Sequence, residues 1–159
     1  MIWESRYWKA DLRRRAEWLA GRQAQQTRFS LKQCAEIEQH VMIGFYCIRK
    51  LIEAGCLSTR LLQKTLRVDS FPSNGSAVDN TNWDMIGLHY TLKQKTTSRV
   101  SILWLCHQFV HNYVFVPSFR GAYGPMDGIY FNSDRGKDKV LYRVTMRTVV
   151  SLFRMEWRQ

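Results

Sequence analysis

Two histidines stand four residues apart in the run Cys106-His107-Gln108-Phe109-Val110-His111. On a helix that spacing is one turn, so both imidazoles face the same way. Three chemistries use such a pair. A divalent metal needs a third ligand, and the segment lacks the glutamate of a His-Glu-x-x-His pattern, so no metal is expected. One imidazole could instead move protons, since histidine ordinarily titrates near neutrality. The third is structural, a pair of partly buried rings satisfied by hydrogen bonds. His111 and His107 are carried forward as the candidate catalytic residues.

A second group is cationic. Arg13, Arg14 and Arg15 form a run, with Arg6, Lys9 and Arg22 on either side. Together they are a candidate phosphate-binding face or, alternatively, a solvated helix surface. The aromatics Tyr113, Phe115, Phe119, Tyr123, Tyr130 and Phe131 could stack nucleobases or pack a small sheet against helices. The chain carries no glycine-rich phosphate loop, nucleophile elbow or paired carboxylates. Its acidic residues are too few and scattered for a two-metal nuclease. No cofactor is expected.

The charge balance points the same way as the arginines. Net charge is +11, from 24 Lys and Arg against 13 Asp and Glu. Residues 1–67 hold 13 basic and 6 acidic groups, residues 68–97 hold 2 and 3, and residues 98–159 hold 9 and 4. Both outer parts are therefore basic. Such a field attracts polyanions, because neutralised phosphates release their counterions. The expected partner is nucleic acid, RNA before DNA, or else an acidic protein. No apolar run approaches the ~20 residues that span a bilayer, and the first residues lack signal-peptide order, so a cytoplasmic protein without membrane contact is expected. Cys34, Cys47, Cys56 and Cys106 sit in or just after apolar helical patterns, with no C-x-x-C pair. They read as free thiols.

These residues must be positioned by something, and 159 residues with 45% hydrophobic content suit one domain spanning 1–159. A first helix is expected over 3–22, followed by a polar link at 23–26. Ser30 with Gln33 forms a capping box, with Phe29 as its staple, before an apolar stripe from Leu31 to Ile52. That stripe predicts a long helix over 31–54, stopped at Gly55. Ser58 caps a short helix carrying Leu61, Leu62 and Leu66. Residues 68–82 read as an exposed loop and 88–92 as a short strand. Ser98 is expected to cap a helix over 99–113, which would carry the histidine pair. Segments 114–119, 128–132 and 140–144 then read as three strands of a meander, and Thr145 caps a last helix over 145–158 containing Trp157. The fold class is α+β: a bundle of about four helices within 1–113, a three-stranded antiparallel meander at 114–144, and a C-terminal helix.

The histidine segment within a helical bundle resembles the HEPN superfamily of bacterial defence and toxin proteins, over 30–113. That family's motif is Arg-Asn-x-x-x-His. Here Cys106 stands where the arginine would be, His107 where the polar residue would be, and His111 where the histidine would be. The resemblance implies a conflict or defence context. It also implies metal-independent ribonuclease chemistry, in which histidine and arginine of a homodimer act on the scissile phosphate. Cysteine in place of arginine removes the permanent cation, and Arg99 or Arg49 are the residues that could stand in from elsewhere. The leading expectation is therefore a non-catalytic nucleic-acid-binding protein. The alternatives are a HEPN-like endoribonuclease using His111 and an interaction subunit for an acidic partner.

Overall fold

The computed structural model of the chain describes residues 1–25, 29–122 and 124–155. Gln26, Tyr123 and Trp157, which figure in the expectations above, lie outside the described residues. The elements run α1 (Ser5–Gln25), α2 (Leu31–Glu53), α3 (Thr59–Leu62), β1 (Thr65–Pro72), α4 (Ile86–His89), β2 (Thr96–Ser101), α5 (Ile102–Val110), β3 (Asn112–Phe119), β4 (Met126–Ser133), β5 (Val140–Thr145) and α6 (Met146–Arg154). The α+β class and the C-terminal meander are observed. The counts differ from the expectation: among the described residues there are six helices, two of them single turns, and a sheet of five strands in the order β2-β1-β5-β4-β3. All neighbouring strands are antiparallel.

The best-defined sequence signals hold. Ser30 Oγ accepts from the Gln33 backbone N–H at 3.2 Å, and Gln33 returns the bond to the Ser30 N–H at 2.8 Å. Gly55 takes φ of +67°, the left-handed turn that ends α2. Thr145 Oγ1 accepts from the Thr148 N–H at 3.1 Å and starts α6.

Two stretches depart from expectation for one reason. Residues 65–72 are not the end of a helix and the start of a loop but a central strand, with Leu66 and Val68 buried on one face and Phe71 on the other. Its partner β2 occupies 96–101, so the cap of the histidine helix is Ser101, three residues later than Ser98, with Ser101 Oγ accepting from Trp104 N–H at 3.1 Å. In both, pairing between segments some thirty residues apart overrides local helical spacing. Residues 88–92 are likewise not a strand. They hold the end of α4 and an isolated bridge from Tyr90 to Ser73.

On one side of the sheet α5 and α6 pack directly against the strands, and α1 and α2 pack on α6, α5 and each other. Leu12, Ala16 and Leu19 of α1, Phe45 and Ile48 of α2, Phe109 of α5 and Phe153 of α6 join Ile129, Phe131 and Val144 in one core. The opposite face is covered in part by residues 73–95, where Phe71, Val78, Tyr90, Val114 and Leu141 form a second, smaller core. Tyr90 holds this cover in place: its hydroxyl donates to the Lys137 carbonyl and accepts from Asn132 Nδ2 at 2.8 Å. No helix is long and apolar enough to cross a membrane among the described residues.

Candidate functional site

The histidine pair sits where α5 ends. Phe45 of α2 stacks on Phe109 of α5 with ring centroids 4.4 Å apart, which sets the two helices side by side. One turn beyond Phe45, Arg49 is thereby brought level with the end of α5. His107 lies in the last turn of α5 and His111 is its C-cap, with the His111 N–H bonded to the His107 carbonyl at 3.1 Å. The His111 carbonyl in turn accepts from the Asp134 N–H at 3.1 Å, which draws the β4–β5 turn over the helix end. That turn closes with Gly136 N–H on the Ser133 carbonyl at 3.0 Å.

Three elements thus meet at an open cleft of about 430 Å³, lined by Arg49, His107, Gln108, His111, Ser133, Asp134 and Arg135. Both histidines are exposed, and neither ring has a hydrogen-bond partner among the described residues. The structural alternative, a partly buried and satisfied pair, is therefore corrected. Two guanidinium groups face one carboxylate in the lining. Arg49 also bonds Glu53 through Nε at 2.9 Å, and the bond from Lys50 first, with that from Arg49 second, holds the Glu53 carboxyl below its ordinary range. Arg135 is exposed and has no such partner among the described residues. Cationic side chains here also face the negative end of the α5 dipole, which favours their charge. Among the described residues, no three of His, Cys, Asp and Glu gather as they would around a metal ion.

Cys106 points the other way. It is fully buried in the main core, and burial pushes its thiol up to about 12 despite the opposing field of Arg49. Of the two arginines considered as stand-ins, Arg49 lines the cleft. Arg99 does not; it lies on β2, opposite Arg67 of β1, with Nη1 donating to Thr65 Oγ1 at 3.3 Å.

The cations of α1 are not gathered into one surface. Asp11 engages both Arg14 at 2.8 Å and Arg15 at 2.7 Å. Arg15 Nη1 also lies 3.4 Å from His40 Nδ1; arginine can only donate, so this bond uses the unprotonated nitrogen. Burial first, and Arg15 second, lower the His40 pKa. Lys9 is buried, Arg22 lies over the Trp18 ring at 4.9 Å, and Arg6 over Tyr7 at 5.0 Å. Arg13 is exposed, on the same helix face as Arg6 seven residues earlier. The aromatics of the meander pack: Phe115 and Phe131 are buried in the main core, Phe119 lies against Phe29, and Tyr113 and Tyr130 flank the second core.

Sequence reading found the histidines and named Arg49 as one possible cation. It missed Gln108, Ser133, Asp134 and Arg135 as parts of a site, because Asp134-Arg135-Gly136 carries only a turn signal. No family model, curated protein or solved structure matches the chain.

Proposed function

We propose that the protein binds nucleic acid, RNA before DNA, and that the cleft at the end of α5 is where phosphates are held. The observation that carries this reading is the joint presence of Arg49, Arg135, His107 and His111 in one open cleft with a single lining carboxylate, on a chain of net charge +11. Guanidinium groups suit phosphate because their planar donors meet two oxygens at once, and Gln108 and Ser133 add neutral donors beside them. Arg6 and Arg13, exposed on one face of α1, are a second candidate phosphate contact outside the cleft. A conflict or defence role remains a proposal that rests on the resemblance of the histidine segment.

The test is affinity for single-stranded RNA and duplex DNA across salt concentrations. Each phosphate contact adds about −0.7 to the log–log slope on a single strand and about −0.9 on a duplex. The double variant Arg49→Gln, Arg135→Gln should weaken binding and flatten the slope by one or two such steps. A protein with no affinity for either nucleic acid at low salt would end this reading and leave the acidic protein partner.

One observation favours a second reading, metal-independent RNA cleavage. Arg49 reaches the cleft that both histidines line, so a permanent cation stands beside them although Cys106 supplies none. In that reading His111 exchanges protons with the attacking or leaving oxygen and Arg49 steadies the charge that develops on the phosphate. RNA incubated with the protein in EDTA separates the two. Binding alone leaves the RNA intact; cleavage that disappears in both His111→Ala and Arg49→Gln establishes the ribonuclease.

A further inference from the structure

The two edges of the sheet are built differently. At one edge, β3 carries Pro117 and two register shifts against β4, between Asn112 and Val114 and between Ser118 and Phe119. Proline and bulges are the devices that stop an edge strand from recruiting another. The opposite edge, β2, has neither. It pairs with β1 over six uninterrupted residues, from Thr96↔Ser70 to Ser101↔Thr65, and all of them are exposed except the half-exposed Val100. Among the described residues its outer row of backbone donors and acceptors has no strand beside it.

The side chains on this edge specify what could add to it. Arg99 of β2 lies directly opposite Arg67 of β1, and both are exposed. Like charges facing each other across a ladder destabilise it. Among the described residues no carboxylate pairs with either: Asp69, two residues from Arg67 on the same face, accepts from Thr97 Oγ1 at 2.8 Å and lies 3.9 Å from Arg143. Lys95 and Lys139 line a hollow at the start of β2. On the other face of the same strand, Val100 packs against the main core.

We propose that β2 is a strand-addition site for an extended acidic peptide segment of a protein partner. An added strand would continue the ladder through backbone hydrogen bonds, placing a carboxylate beside Arg99 on one face and an apolar side chain beside Val100 on the other. The occupant is thus an alternating acidic and apolar sequence. A second copy of this chain fits poorly, since two-fold pairing of β2 would bring two chains of +11 together with arginine near arginine. This contact is separate from the cleft and does not depend on the nucleic-acid reading.

The probe is an acetylated, amidated octapeptide alternating valine and glutamate, titrated against the full chain. It is compared with the valine–lysine counterpart and with two N-methylated forms, methylated on one or the other alternate set of residues. Binding of the glutamate peptide alone is expected. Methylation of the set whose N–H groups face β2 should abolish it and methylation of the other set should spare it, since only one edge of an added strand bonds to the sheet. Arg99→Glu should weaken binding by about three- to tenfold, the scale of one exposed cross-strand charge pair reversed. Failure of the glutamate peptide to bind overturns the proposal. So does equal loss from both methylation patterns, or displacement by single-stranded RNA, either of which would mark a general polyanion surface.

Discussion

At the scale of single residues, the chemistry turns on which side of α5 a side chain occupies. Cys106 and His107 are adjacent in sequence, yet one is sealed in the core and the other is exposed at the cleft. A cation at the cleft therefore cannot come from position 106 without burying its charge, whereas Arg49 of α2 lines the cleft. Installing the arginine that the resembled motif would place there, Cys106→Arg, should not confer activity. The side chain would be larger than the space and unpaired, costing several kcal/mol of the roughly 5–15 kcal/mol that hold a domain together. The expected outcome is an insoluble protein, or one whose melting transition is lost. A stable Cys106→Arg variant that cleaved RNA would show that α5 can rotate its faces, contrary to the packing of Phe109 and Leu105.

At the scale of elements, the sequence was legible wherever a helix is held by its own neighbours. The Ser30–Gln33 capping box, the stop at Gly55 and the Thr145 cap are all local, and all were recognisable. What was illegible is non-local. Nothing within 65–72 says that Leu66, Val68 and Phe71 belong to a central strand until β2 and β5 lie on either side. The site shares this limit, since Arg135 joins it only because the Asp134 N–H reaches the end of α5. Close helix contact is a second non-local effect. Gly44 sits mid-helix in α2, where alanine is intrinsically better by roughly 1 kcal/mol. A Cβ there would lie 2.2 Å from the Phe153 ring of α6, a ring that is fully buried against Phe45. Gly44→Ala should therefore lower stability by about 1–3 kcal/mol, against its helix propensity. Thermal denaturation should register about 2–4 °C per kcal/mol in a domain of this size. Adding Phe153→Leu should recover part of the loss, because the two changes share one contact. A rise in melting temperature for Gly44→Ala alone would mean that α2 and α6 are not so closely packed.

At the scale of the whole molecule, the excess of cations sets two responses to salt, and their signs oppose. Carboxylates are shared among the bases: Asp11 serves Arg14 and Arg15, and Glu53 serves Arg49 and Lys50, while Asp69 and Asp127 together serve Arg143. Exposed cations such as Arg13, Arg67, Arg99 and Arg135 have no carboxylate among the described residues. Compaction thus brings together more repulsion than attraction at the surface. Raising sodium chloride from about 0.01 M to about 0.3 M shortens the screening length from roughly 30 Å to well under 10 Å, and that should raise the melting temperature. A bound polyanion feels the reverse. Over the same range a short single-stranded RNA should lose its hold, because counterion release no longer favours the complex. At low salt the RNA should raise the melting temperature by mass action, and at high salt the curves with and without it should coincide. Scanning the protein alone and with RNA at each salt concentration measures both effects in one series. A melting temperature that falls with salt for the protein alone would show that the shared ion pairs outweigh the unpaired cations. A gap between the curves that persists at high salt would show that RNA is held by contacts other than to its phosphates.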